Sequence, residues 1–299
     1  MRPQSQLTRR PTAVAAVVLG AAAWGSTGTA AHFCPASASS ISIGAARIAF
    51  GGLLLLLLAV ARTDSRRAVG KLLAGSWANR GALLLAAGAI GGYQLCFFTA
   101  VRATGVAIGT IVAIGSAPVF TGLLSRLFGG PFPGRTWLVA TVAAIAGCSL
   151  LVTGGRASGA SRTGVVLALA AACCYATYAV AAARFISSGH LETAVMGLLF
   201  GGAAVLLAPV LASRPTGWML TDRGLAVVGY LGVVTTAAAY LLYGRGLRTV
   251  SAPAAVTLGL AEPVVAAVLG VAVLHERLNA TEVVGLGLVG LALVALAVG

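Results

Sequence analysis

The chain has 299 residues, of which 59% are hydrophobic and 9% charged, with a formal net charge of +14. Soluble domains carry about 25% charged residues, so this composition excludes an ordinary soluble domain and indicates a polytopic membrane protein. Nineteen of the 20 basic residues are Arg and most flank apolar runs, where they act as topology signals; without a basic stripe interleaved with aromatics, nucleic acid is excluded as a partner.

The basic start MRPQSQLTRRP leads into an apolar run at residues 12–33. A signal peptide has a similar layout, but the many spans that follow favour an uncleaved first helix. That helix carries Ala23-Trp24-Gly25-Ser26. The second span, residues 40–61, holds Arg47 about two turns inside its start. A basic loop, RTDSRRAVGKLLAGSWANR, precedes the third span at 81–101, which contains Tyr93 and Gln94. Arg102 and Thr104 stand in a tight connection to the fourth span, 105–128. Pro118 is expected to break that helix and to free the carbonyl of Ile114. The loop GGPFPGR leads to a fifth span at 136–153, and GGRASGASR then marks the divide between two halves.

The sixth span, 163–185, carries Cys173-Cys174-Tyr175 and Tyr178; the seventh is 194–211; the eighth, 224–243, holds Tyr240. The ninth, 251–274, has Glu262 and Pro263 near its middle. An ionised carboxylate there would cost several kcal/mol in hydrocarbon, and Pro263 leaves the carbonyl of Gly259 without its helical partner. Both features require protein or a wet cavity around them, so this helix is expected to line a substrate path. The tenth span starts near Ala280, where Asn279 and Glu282 form the pattern of a capping box.

Of the five cysteines, four fall inside apolar runs and none has CxxC spacing, which supports neither a zinc site nor a disulfide framework. Gly88–Gly92 and Gly105–Gly109 have GxxxG spacing, although in a chain with 40 glycines that spacing also arises by chance. Ten spans put both termini on one face, which receives thirteen basic residues against six on the other. The excess predicts cytoplasmic termini in a multi-pass protein of the cell membrane.

The two halves repeat. Phe50-Gly51-Gly52 answers Phe200-Gly201-Gly202, and Ala117-Pro118-Val119 answers Glu262-Pro263-Val264. Five spans per half is odd, so the second copy enters the membrane from the opposite face. The expected fold is therefore an all-α polytopic membrane protein of ten transmembrane helices, built as two inverted five-helix repeats at residues 1–155 and 162–299. Such repeats are common in transporters, with the substrate site at the repeat interface near the midplane.

These residues resemble EamA-type carriers of the drug/metabolite transporter superfamily. The matching pieces are Ala23-Trp24-Gly25-Ser26, Arg47, Phe98-x-Ala100-Val101, the proline helix of span four, Tyr175-Ala176 with Tyr178, Leu260-Ala261-Glu262-Pro263, and Leu274-x-Glu276-x-Leu278 with Gly285. The resemblance covers essentially the whole chain. It implies a carrier that moves small metabolites by alternating access, often as an exporter of amino acids or related compounds. One departure concerns the loop after span four, where the family often has a Glu matching Glu276. Gly130-Pro131-Phe132-Pro133 stands there instead, so no role attaches to a first-half acid.

Glu262 is the first candidate, as a ligand for a substrate amine or as a proton carrier; the structural alternative is an acid that satisfies the backbone beside Pro263. Arg47 either attracts an anionic group of the substrate or ties helices together. Trp24, Tyr93, Gln94, Tyr175, Tyr178 and Tyr240 fall on spans that the repeat brings to the centre, where an apolar body with a polar handle suits a pocket. The expected partners are a small-molecule substrate and the lipid bilayer, with no cofactor. A membrane-embedded enzyme acting on lipid or isoprenoid is the alternative, but it would need clustered acids or histidines, and the chain has six acids and three scattered histidines. The chain also has no GxxxxGK[ST] loop for ATP.

Overall fold

In a computed structural model the described residues are 4–130, 133–153, 161–275 and 277–298, and all the regular structure among them is helical. The chain runs through α1 (Gln4–His32), α2 (Ser40–Ala61), α3 (Thr63–Leu73), α4 (Trp77–Thr104), α5 (Val106–Leu127), α6 (Arg135–Thr153), α7 (Arg162–Ser187) and α8 (Glu192–Ala212). After a short 3-10 turn come α9 (Asp222–Gly232), a π-turn (Val233–Ala238), α10 (Ala239–Gly246), α11 (Ala252–Leu258), α12 (Ala261–Leu274) and α13 (Ala280–Val298). Glu276, Pro131, Phe132 and residues 154–160 of the expected divide lie outside the described residues.

Among the described residues, nine helical runs are long and apolar enough to cross a membrane. Hydrocarbon offers backbone groups no water, so each span must satisfy its own hydrogen bonds, and the helix does so. The span expected at 136–153 is α6, whose apolar stretch, Arg135–Leu151, is shorter than these nine. Small and large residues divide in a way that suits a bilayer. The interior is rich in alanine, including Ala86, Ala144, Ala172, Ala179 and Ala203, while Leu84, Leu127, Val205 and Leu291 stand on the outside. Lipid tails leave no hydrophobic drive between helices, so close backbone approach and dispersion hold the bundle together.

The main helix pairs are α2 with α8, α4 with α7, α5 with α7, α6 with α13, and α1 with α10 and α12. The contact of α2 with α8 includes one glycine from each of the two repeated FGG motifs. A Cβ on Gly52 would strike the carbonyl oxygen of Phe200, and one on Gly201 would lie 2.9 Å from Leu56 Cβ. Glycine is required at both places by this approach. In the GxxxG pairs a Cβ on Gly88 or Gly105 would meet open space, while one on Gly109 would lie 3.0 Å from Val101 Cα of the preceding helix.

Four local features depart from the sequence expectations. The basic loop after α2 contains a helix, α3, seated by Ser65, Val69 and Leu72. The eighth span is interrupted by the π-turn, in which Thr235 and Thr236 both donate to the carbonyl of Leu231, at 2.8 and 2.9 Å. The break expected at Pro118 is absent, because α5 continues through it. A proline removes one hydrogen bond, and the bonds of the neighbouring turns suffice to carry the helix past it. The fourth concerns the ninth span. That span does divide, into α11 and α12, but the carbonyl of Gly259 is not left free. The chain tightens there, so that Glu262 N–H reaches Gly259 O at 2.9 Å and Leu260 N–H reaches Thr257 O at 3.0 Å. These three-residue bonds satisfy the carbonyl that Pro263 cannot.

Candidate functional site

The division of the ninth span determines where Glu262 sits. It is in the first turn of α12, where the N-terminal end of the helix macrodipole favours a negative charge. Pro263 follows in the same turn, where a missing N–H is tolerated. Gly25 of α1 packs against this turn. A Cβ there would lie 2.8 Å from Val265 Cβ and would also strike the carbonyl oxygen of Glu262. Trp24, its neighbour, is buried toward the centre. The Ala-Trp-Gly-Ser stretch therefore combines a close helix contact with an inward-facing ring.

One cavity lies at this point between the two halves. It is lined by Trp24, Arg47, Ile90, Tyr93, Gln94, Ile114, Tyr175, Tyr178, Tyr240, Val256, Gly259 and Glu262. The structure thus brings together Glu262, Arg47 and the six aromatic and amide residues singled out in the sequence. They come from α1, α2, α4, α7, α10 and α12. The apolar members Ile90, Ile114 and Val256, and Gly259, carry no chemical signature and only their place in the fold reveals them.

The aromatic rings form a continuous wall. Trp24 meets Tyr240 with centroids 4.9 Å apart, Tyr240 meets Tyr178 at 6.2 Å, Tyr178 meets Tyr175 at 5.1 Å, and Tyr175 meets Tyr93 at 6.0 Å. Phe200 backs Tyr240 from the FGG contact at 3.9 Å. Ring spacings between about 4.5 and 7 Å are those at which aromatic pairs attract.

Two charges of opposite sign share the cavity, Glu262 and Arg47, and they make no ion pair with each other. Arg47 Nε and Trp24 Nε1 are buried and hydrogen-bond to no protein atom among the described residues. Buried donors are nearly always paired, so these two require a ligand or water from the cavity. Its volume is about 40 Å³, room for a few waters. Small-molecule pockets measure about 300–1,000 Å³, so the space here is well below that range.

A second polar group holds α11 in place. Trp137 Nε1 of α6 donates to Thr257 Oγ1 of α11 at 3.0 Å, Thr141 donates to the same oxygen at 3.0 Å, and Thr257 donates to Pro253 O at 3.0 Å. All three side chains are buried and every hydroxyl is used. No local pattern announces this cluster, because its Trp and Thr stand 120 positions apart. Glu192 is buried at the start of α8 and pairs with Arg248, with Arg245 at 4.0 Å. His275 ends α12 in a left-handed cap, at φ 57°. The capping box forms as expected, with Asn279 N–H donating to Glu282 Oε2 at 2.7 Å and Glu282 N–H donating to Asn279 Oδ1 at 3.0 Å.

The EamA-like transporter family model matches residues 11–153 and again residues 162–298. A Bacillus subtilis protein named "Uncharacterized transporter YwfM" is 39% identical over 284 residues, covering 94% of this chain and 92% of that one. "Uncharacterized inner membrane transporter YicL" of Salmonella typhimurium is 26% identical, covering 86% of each chain. A solved crystal structure at 21% identity superposes with a TM-score of 0.79 over 96% of both chains, a likeness of fold. With the family matched in both halves of a multi-pass helical protein, the chain belongs to the EamA-like transporter family.

Proposed function

We propose that this protein is a secondary transporter that moves a small metabolite, an amino acid or related compound or a drug-like molecule, outward across the cell membrane by alternating access. Glu262 binds the substrate's amine or carries a proton through the cycle, and Arg47 attracts an anionic group. The aromatic wall and Gln94 hold the body of the substrate. The observation that carries this reading is the convergence of two unpaired opposite charges and a ring wall on one cavity beside a divided helix. The small volume of that cavity supports a cycle in which helices separate to admit substrate.

The same reading takes the ten helices as two oppositely oriented repeats with cytoplasmic termini. Exchanging the halves maps the α2–α8 pair and the α6–α13 pair onto themselves. The α4–α7 contact is answered by that of α10 with α1, and α5–α7 by α12–α1. An odd number of crossings per half then gives the copies opposite orientations.

The test is flux in proteoliposomes across a metabolite panel, with and without a pH gradient. A saturable flux with counterflow is expected, and it falls to background in Glu262→Gln while expression is unchanged. Normal flux in that variant would remove Glu262 from the mechanism. Turnover of lipid without any flux would favour a membrane enzyme.

A further inference from the structure

The helix α3 connects α2 to α4, and its two faces differ in kind. Ser65, Val69 and Leu72 recur at helical spacing and are buried, where α3 packs on α2 and α8. Arg66, Arg67 and Lys71 all lie on the exposed side, with Arg62 at the N-cap. Arg62 and Arg66 are four apart, as are Arg67 and Lys71. Like charges at that spacing repel weakly on a helix surface, and an external negative charge relieves that repulsion. The one acid of α3, Asp64, reaches Arg67 only at 4.0 Å, and both side chains are largely exposed. Among the described residues the other three cations have no ion-pair partner.

The residues that follow set the depth of this surface. Leu73 is 52% exposed and Trp77 is 84% exposed, a poor arrangement against water. Arg80 lies over the Trp77 ring, 5.1 Å from its centroid. Tryptophan beside Arg and Lys at the end of a span is the composition of a membrane–water interface. An amphipathic helix with basic residues on its polar face lies in that plane and is drawn to anionic lipid.

From this we infer that α3 and the start of α4 form a binding surface for anionic phospholipid headgroups. Arg62, Arg66, Arg67 and Lys71 contact phosphate, and Trp77 and Leu73 enter the headgroup layer. The surface is separate from the central cavity, and the inference does not depend on the transport reading.

The test uses the full chain in phosphatidylcholine vesicles that contain a trace of dansyl-labelled phosphatidylglycerol or dansyl-labelled phosphatidylcholine. Energy transfer from tryptophan, competed by the matching unlabelled lipid, gives the relative association of each. The wild type is expected to favour phosphatidylglycerol by about fivefold or more, and the preference shrinks in high salt. Arg66→Gln/Arg67→Gln/Lys71→Gln abolishes it, while Arg66→Lys/Arg67→Lys and the opposite-face control Arg214→Gln/Arg223→Gln retain it. No preference in the wild type, or an unchanged preference in the triple variant, would overturn the inference. So would a loss caused by inorganic phosphate beyond that of sodium chloride at equal ionic strength, since the surface would then be a site for free phosphate.

Discussion

Two proline-bearing helices hold corresponding places in the two halves, and the chain treats them differently. In the first half α5 runs unbroken through Pro118, entered from a one-residue connection at Gly105 with φ 85°. In the second half α11 and α12 separate two residues before the acid, and a five-residue connection, 247–251, precedes them. The prolines alone therefore do not decide where a helix divides. The second half adds Gly259 at the junction, a carboxylate in the new first turn, and a clamp on each side of α11. Thr257 is held to α6, and Arg248, just ahead of α11, is held by Glu192. The first half contributes a continuous wall, and the second contributes the charged, divided element.

The largest effect that would sharpen this contrast comes from exchanging the acid. Glu262→Gln should bring flux to background, and adding Ala117→Glu to that variant should not restore it, because α5 offers no helix N-terminus there. Restored flux would show the halves to be interchangeable. Next come the prolines. Pro263→Ala supplies a backbone donor and, with it, about 1 kcal/mol in favour of joining α11 to α12, so flux should fall by roughly fivefold. Pro118→Ala acts on a helix that is already continuous, and flux should stay within about twofold. Equal losses in the two variants would break the comparison.

Thr257→Val keeps the shape but strips the acceptor from Trp137 and Thr141. Thermal unfolding in detergent should show a loss of about 1–3 kcal/mol, and Thr257→Ser should recover it. Glu192→Gln removes the charge that Arg248 and Arg245 share. Both arginines are about half exposed, so solvent screens the pair and the expected loss is smaller, about 1 kcal/mol. A Glu192→Gln loss that exceeds that of Thr257→Val would reverse the order of the two clamps.

Most of the fold was legible because a bilayer reduces it to runs of apolar residues and their basic flanks. The second span was read at 40–61 and α2 occupies the same residues. The cavity residues were legible for a related reason. A carboxylate, an arginine, an amide and polar-tipped rings are conspicuous in apolar helices, since each demands a partner there. What escaped was set by tertiary contact. The seat of α3, with Val69 and Leu72 buried, depends on its packing against α2 and α8. The unbroken course of α5 depends on neighbouring turns, and the Trp137–Thr257 bond joins residues that the sequence keeps far apart. The tight turn at Gly259 was missed because a proline predicts a lost bond but not the three-residue bond that replaces it.

The π-turn at Val233–Ala238 has a further consequence. A wide turn accommodates one residue more than an α-helix over the same rise, so everything after it is rotated relative to a uniform helix by about 100°. Tyr240 owes its direction to that surplus residue. Deleting one codon between 233 and 238 would leave the composition of the span nearly intact and swing the tyrosine out of line with Trp24 and Tyr178. In this stretch the number of residues, as much as their identity, aims the ring.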